Sequence, residues 1–140
     1  MELFELTRKL IELESITGNE QQVGEFVYAH LAALAARYNG KAEKMPVEAG
    51  RFNVFACWDD PVVTLSTHLD TVPPYIGFSE DDTRIWGRGS CDAKGILAAM
   101  LTAAAGLLAG GVRHFGLLFV VGEEKNSAGA LAAIALSGER

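Results

Sequence analysis

Residues 62–68 have the sequence VVTLSTH, and residues 115–121 have the sequence FGLLFVV. Both are short apolar runs of the kind that forms strands buried on both faces of a sheet. Residues 95–108, which lie between them, are apolar, rich in alanine and long enough for a helix. A strand, a helix and a second strand in this order predict an α/β fold with a parallel sheet and right-handed crossovers.

Two helices are predicted before this unit. The first is marked by leucines that recur at intervals of three and four residues: Leu3, Leu6, Leu10 and Leu13. It is predicted to end near residues 15–18. The second begins at Asn19, which can cap it, and runs to about Tyr38, where Asn39 and Gly40 stop it.

The remaining elements follow from turn residues and short apolar runs. Residues 41–48 and 51–58 flank Ala49 and Gly50, which predicts a β-hairpin. Residues 71–82 form a polar loop with two prolines, and residues 85–86 a brief extended piece. A final helix is predicted over residues 127–136.

Composition limits the class of protein. A chain of 140 residues with 49% hydrophobic residues can bury the core of one domain. The net charge of −6, with scattered basic residues, argues against a nucleic-acid partner. The apolar stretch 95–111 is too short for a membrane span, so we expect a buried helix. Two cysteines and a start unlike a signal peptide favour a reducing, cytoplasmic location.

Acidic residues and one histidine stand at the ends of the predicted strands. His68 and Asp70 follow the first strand, Asp92 precedes the long helix, and Glu123 and Glu124 follow the second strand. Open α/β sheets build their sites at such strand ends, so we expect these residues to form a metal centre. Asp70 can accept the free ring N–H of His68, and one carboxylate of the glutamate pair can act as a general base.

Other chemistries fit less well. Residues 87–95, GRGSCDAKG, begin like a dinucleotide-binding loop, but Asp92 would repel a pyrophosphate, and Lys94 is misplaced for a P-loop. Ser90 or Cys91 as a nucleophile, with His68 as its base, stays open as an alternative.

The sequence resembles the M20 metallopeptidases and amidohydrolases, which include acetylornithine deacetylase, succinyl-diaminopimelate desuccinylase, aminoacylase and glutamate carboxypeptidase. The resemblance rests on residues 66–73 (STHLDTVP), residues 86–89 (WGRG) with Asp92, Lys94 and Gly95, and residues 122–124 (GEE). It implies a three-layer, zinc-aminopeptidase-like fold with a mostly parallel central sheet.

The resemblance also implies a role for each site residue. His68 would bind the first of two zinc ions, Asp92 would bridge both, and Glu124 would bind the second. Glu123 would be the general base, Asp70 the partner of His68, and the peptide after Asp92 would be cis. Cobalt and manganese are alternatives to zinc.

The family completes its site with a later carboxylate and a late histidine, and Glu139, His30 and His114 are poor matches for these. We therefore expect residues 1–140 to be the N-terminal portion of a catalytic metal-binding domain, without the lid and dimerisation domain and with little activity alone.

The expected function is metal-dependent hydrolysis of the amide bond of small N-acyl amino acids, as in a deacetylase. The alternatives are a dipeptidase or carboxypeptidase of the same family, or an inactive, truncated binding or assembly module. A homo-oligomer is expected, because incomplete cover of an apolar sheet favours pairing between copies.

Overall fold

The computed structural model describes residues 2–137, and the side chains through residue 134. It contains the predicted helices and strands, together with one short strand inside the predicted polar loop. The helices are α1 (Leu3–Glu12), α2 (Gln21–Tyr38), α3 (Lys94–Ala109) and α4 (Ala128–Ser137). The strands are β1 (Lys41–Glu48), β2 (Arg51–Trp58), β3 (Val63–His68), β4 (Ser79–Glu80), β5 (Ile85–Trp86) and β6 (Phe115–Val120).

The central sheet has the strand order β1-β2-β6-β3. Strands β3 and β6 are parallel, in a register that runs from Val63 opposite Phe115 to His68 opposite Val120. The predicted α/β fold with parallel strands is confirmed by this pair. The β1–β2 and β2–β6 pairs are antiparallel, so the described part of the sheet is mixed rather than mostly parallel. A tight hairpin can join only antiparallel strands, which accounts for the β1–β2 pair.

Helices cover the sheet on two sides and make three layers. Val54, Ala56 and Trp58 of β2 pack into one core with apolar side chains of α1, α2 and α3. Asn53 points to the opposite face, because neighbouring residues of a strand alternate. Its side-chain amide donates to the carbonyl of Gly129 in α4 at 2.8 Å, which fixes α4 on that face.

Strand β3 differs from its prediction. It was expected to be buried on both faces, yet Val63 is 51% and Leu65 46% exposed. The prediction was wrong because β3 lies at the edge of the described sheet, with β6 as its one neighbour there.

The helices depart from prediction at three points. Helix α1 ends at Glu12, before the predicted residues 15–18. Asn19 does not cap α2, because Glu20 precedes the helix and the Asn19 N–H donates to Ile16. Asn39 ends α2 as predicted, in a left-handed conformation with φ 55°. Helix α3 is buried on one face, whereas Ile96 on its other face is 50% exposed. Among the described residues, no helix is both long and apolar enough to cross a bilayer.

Candidate metal centre

The strand ends of β3 and β6 place the acidic residues and the histidine side by side. His68 is the last residue of β3 and pairs with Val120, the last residue of β6. The chain then turns at Gly122, which has φ 74°, a conformation that side chains other than glycine rarely adopt. That turn directs Glu123 and Glu124 back towards the end of β3.

Asp92 reaches the same place from a different element. It lies two residues before α3, next to the cis peptide bond that joins it to Ala93, as the family resemblance implied. The positive end of the helix dipole favours a carboxylate at this position. His68 Nε2 lies 2.8 Å from Asp92 Oδ1.

The three residues predicted as metal ligands are brought together. One ligand atom each from His68, Asp92 and Glu124 lie within 4.8 Å of one another. Glu123, the predicted base, has its Oε2 atom 3.7 Å from His68 Nε2. The predicted convergence is therefore confirmed, while the roles of these residues as ligands and base stay predictions.

Burial varies across the cluster. The His68 side chain is 9% exposed, whereas those of Asp92 and Glu123 are 71% and 51% exposed. The imidazole is thus buried beneath the cluster, and the carboxylates of Asp92 and Glu123 face solvent. This arrangement allows a substrate and water to reach the carboxylates.

The ring of His68 is held at both nitrogens. Nδ1 lies 2.9 Å from the main-chain carbonyl oxygen of Asp70 and 3.4 Å from its carboxylate, so the hydrogen bond goes to the carbonyl. Burial alone would lower the pKa of His68, but its contacts with Asp70 and Asp92 outweigh burial and raise the pKa to about 9. In the metal-free protein a proton therefore links Nε2 to Asp92, and a cation bound by the same nitrogen would displace it.

The Asp70 carboxylate is fully buried and joins three segments. It accepts hydrogen bonds from the main-chain N–H groups of Glu123 at 3.0 Å and Glu124 at 3.1 Å, and from the Thr17 hydroxyl at 2.7 Å. Burial alone would raise the pKa of Asp70, but the nearby His68 ring and the hydrogen bonds from Thr17 and the two main-chain groups lower it to about 2. Asp70 therefore stays ionised across the normal pH range.

The donors present fit a divalent transition metal. Burial and the neighbouring charge of Asp92 raise the pKa of Glu124, and His68 offsets this only in part. A cation at the cluster would relieve this repulsion between carboxylates. One imidazole nitrogen with carboxylate oxygens is a donor set that zinc, cobalt and manganese accept.

The nucleophile alternative finds little support in this geometry. Both ring nitrogens of His68 are engaged by Asp70 and Asp92. Cys91 is exposed and Ser90 is half-buried. A serine or cysteine hydrolase would need a free imidazole nitrogen facing the nucleophile.

Sequence reasoning missed the residues that support the cluster. Thr17 and Ser15, in the connection between α1 and α2, bond to Asp70 and to the Leu69 carbonyl. Lys94 is buried and its ammonium donates to the Leu13 carbonyl, while burial lowers its pKa to about 8. These contacts join residues more than fifty positions apart, so no local pattern reveals them.

Sequence comparison relates this chain to a known protein family. The sequence model of peptidase family M20/M25/M40 matches residues 64–140. A probable carboxypeptidase of Emericella nidulans is 43% identical over 91% of this chain and 32% of its own length. This chain thus spans about a third of the length of the relatives that it matches.

Solved structures share the fold. A tripeptidase from Staphylococcus aureus matches with a TM-score of 0.78 and 24% identity, over 93% of this chain and 38% of its own. A Bacillus subtilis protein described as a dinuclear metal-binding peptidase from the M20 family matches with a TM-score of 0.69 and 16% identity, over 97% and 39%.

Proposed function

This chain belongs to peptidase family M20/M25/M40, and we propose that it supplies the metal-binding and proton-transferring part of a hydrolase that cleaves the amide bond before a C-terminal amino acid. The observation that carries the proposal is the convergence of His68, Asp92 and Glu124 within 4.8 Å. The Glu123 side chain is half exposed, which leaves it accessible to a peptide and a water molecule.

The metal would be held by His68, Asp92 and Glu124. We propose zinc, with cobalt and manganese as alternatives, and two ions rather than one. The dinuclear Bacillus subtilis neighbour supports the number, and the two carboxylate oxygens of Asp92 would allow it to serve both ions. When bound, such ions polarise an amide carbonyl and lower the pKa of a bound water.

Glu123 is proposed as the general base and then the general acid. Its carboxylate takes a proton from the attacking water as the oxygen of that water bonds to the amide carbon. The same proton then passes to the amine nitrogen as the carbon–nitrogen bond breaks, which leaves a carboxylic acid and a free amine. Glu123 is half exposed and next to the ligand cluster, so it can reach both the water and the leaving group.

Asp70 is proposed to orient these groups without exchanging protons. Its pKa of about 2 keeps it ionised, so its oxygens remain acceptors for the Glu123 and Glu124 main chain. Its carbonyl fixes the His68 ring. The site therefore has a histidine with a defined tautomer and two glutamates with a defined backbone.

The proposed substrate class draws its support from the relatives. A probable carboxypeptidase at 43% identity supports a peptide with a free C-terminal carboxylate. The deacetylase-type specificity expected from the sequence is the competing proposal, because hydrolysis of an N-acyl amino acid breaks the same kind of bond. A homo-oligomeric assembly and a cytoplasmic location stay predictions.

Metal binding can be tested on the 140-residue chain by calorimetry with zinc. We expect weak binding that is lost in His68→Ala and kept in His114→Ala, a matched control because His114 is an exposed histidine outside the cluster. Equal binding by the two variants would show that the cluster does not hold the metal.

Catalysis can be tested in a polypeptide of the relatives' length that carries these residues. Glu123→Gln should keep the metal and lose a factor of ~10² to 10⁴ in rate, because an amide cannot accept the proton of the water. Glu5→Gln on the surface of α1 is the control, with an unchanged rate.

The substrate is identified by comparing one peptide with a free and an amidated C-terminus, together with N-acetyl amino acids. A requirement for the free carboxylate of the peptide supports the carboxypeptidase. Preference for acetyl substrates supports the deacetylase, and zinc binding without turnover of either supports the binding module.

A further inference from the structure

The connection between α1 and α2 lies alongside the stretch that carries His68 and Asp70. Ile16 and Thr71 form a parallel β-bridge, in which the Thr17 N–H donates to the Thr71 carbonyl at 3.1 Å and the Thr71 N–H to the Ser15 carbonyl at 2.9 Å. The Ser15 hydroxyl donates to the Leu69 carbonyl at 2.8 Å. The N-terminal part of the chain thus fixes the path of the backbone at the end of β3.

The side chain of Thr17 adds a contact of a different kind. Its hydroxyl donates to Asp70 Oδ2 at 2.7 Å, a shorter distance than those of the Glu123 and Glu124 N–H groups to the same carboxylate. The same Oδ2 atom accepts the Glu124 N–H, and Oδ1 accepts the Glu123 N–H. One carboxylate, steadied by Thr17, therefore holds the main chain of both glutamates.

We propose that Thr17 is a positioning residue for the glutamate pair. The last torsion of an aspartate side chain is soft, so the carboxylate turns unless several donors fix its plane. The Thr17 hydroxyl supplies a donor from a separate segment, the connection between α1 and α2, and a charge-assisted bond of this kind is a strong one. The importance of this positioning for metal binding and proton transfer rests on the function proposed above.

A purely structural role for Thr17 can be separated from this one. The bridge between Ile16 and Thr71 uses main-chain atoms, which a change of side chain leaves in place. Thr17 is half-buried, so Thr17→Val keeps the shape and removes only the hydroxyl. Thr17→Ser keeps the hydroxyl and removes only the methyl group. The proposal requires these two variants to behave differently.

The first measurement is amide hydrogen exchange in the metal-free chain. In Thr17→Val the Glu123 and Glu124 amides should exchange about tenfold faster or more, because their acceptor is no longer fixed. The Leu117 and Phe119 amides in β6 should be unchanged, and Thr17→Ser should match the original chain. Thr102→Val is the matched control, since its hydroxyl donates to the Ala98 carbonyl within α3.

The second measurement is zinc affinity by calorimetry, with a several-fold loss expected in Thr17→Val and none in Thr17→Ser. Unchanged exchange at Glu123 and Glu124 in Thr17→Val would overturn the inference, as would equal changes in the Val and Ser variants. If Thr17→Val does not fold, Thr17→Ala provides the same comparison. Absence of zinc binding by the original chain would overturn the metal proposal alone, because the exchange result does not depend on metal.

Discussion

Strands β3 and β6 are parallel neighbours with similar apolar sequences, yet they occupy different environments. Leu117 of β6 is fully buried, whereas Leu65, its register partner on β3, is 46% exposed. Strand β6 lies between β2 and β3, while β3 has one neighbour among the described strands. The difference shows that an apolar run identifies a strand, but the number of its neighbours decides how much of it is buried.

At their carboxyl ends, both strands lead into residues of the same site. His68 follows from β3 and the Glu123–Glu124 pair from β6, and the buried carboxylate of Asp70 ties the two ends together. The exposed strand therefore carries a tightly organised end. The proposed function depends on the ends of both strands rather than on the burial of their middles.

The largest expected effect is on stability, from substitutions in the middles of β6 and β3. Leu117→Ala should reduce the free energy of unfolding by about 2–5 kcal/mol, because it leaves a cavity in the core. Leu65→Ala, the same change at the register partner, should cost about 1 kcal/mol or less, because the side chain is half exposed. Urea unfolding measures both, and equal losses would contradict the assignment of β3 to the edge.

The second largest effect is on the pH dependence of stability, through Asp70, which joins the ends of β3 and β6. The folded pKa of Asp70, about 2, lies below its ordinary value of 3.8, so its contribution is present above pH 4 and is lost as the pH falls from 4 to 2. The contribution is about 2 kcal/mol by the energy equivalent of such a shift.

Urea unfolding of the metal-free chain across pH 2–5 checks this prediction. Asp70→Asn should be less stable at pH 5 and should lose less stability on acidification than the original chain. Parallel pH profiles for the two proteins would show that Asp70 is not what couples the two strand ends.

The smallest effect is association through the open edge of β3. Residues 63–67 carry no charge and no proline, the devices that usually protect an edge strand. We expect weak self-association, which salt strengthens because each chain carries a net charge of −6.

Leu65→Lys should shift this association to concentrations about tenfold higher, whereas Leu107→Lys, at an exposed position on α3, should not. Light scattering over a concentration series tests this at two salt concentrations. A monomeric mass at every concentration, or equal behaviour of the two variants, would exclude β3 as the contact.

Local sequence patterns were enough to predict the helices and strands themselves. The hairpin of residues 41–48 and 51–58 was predicted with its observed bounds, since alternating strands and the Ala49-Gly50 turn are encoded within a few residues. The convergence of His68, Asp92 and Glu124 was also predictable, because parallel strands end, and the neighbouring helices begin, at one edge of a sheet.

Predictions failed where the answer depended on a distant partner. Asn19 looked like a helix cap, but Glu20 takes the capping position, and its buried side chain pairs with Arg51, 31 residues away. Thr17 gave no sign of a role, because its partner Asp70 lies 53 residues away.

The sequence by itself determined which segments form helices and strands, which residues carry the chemistry, and that the ends of two strands bring them together. Only the tertiary structure decided that β3 lies at an edge, that Asp70 bonds the main chain of Glu123 and Glu124, and that Thr17 holds Asp70. The physical reason is that periodicity and turn chemistry act within a few residues. Strand order and most buried hydrogen bonds use main-chain groups that nearly every residue shares, and the Thr17 hydroxyl meets Asp70 from 53 residues away. Such partners are therefore chosen only when the whole chain packs.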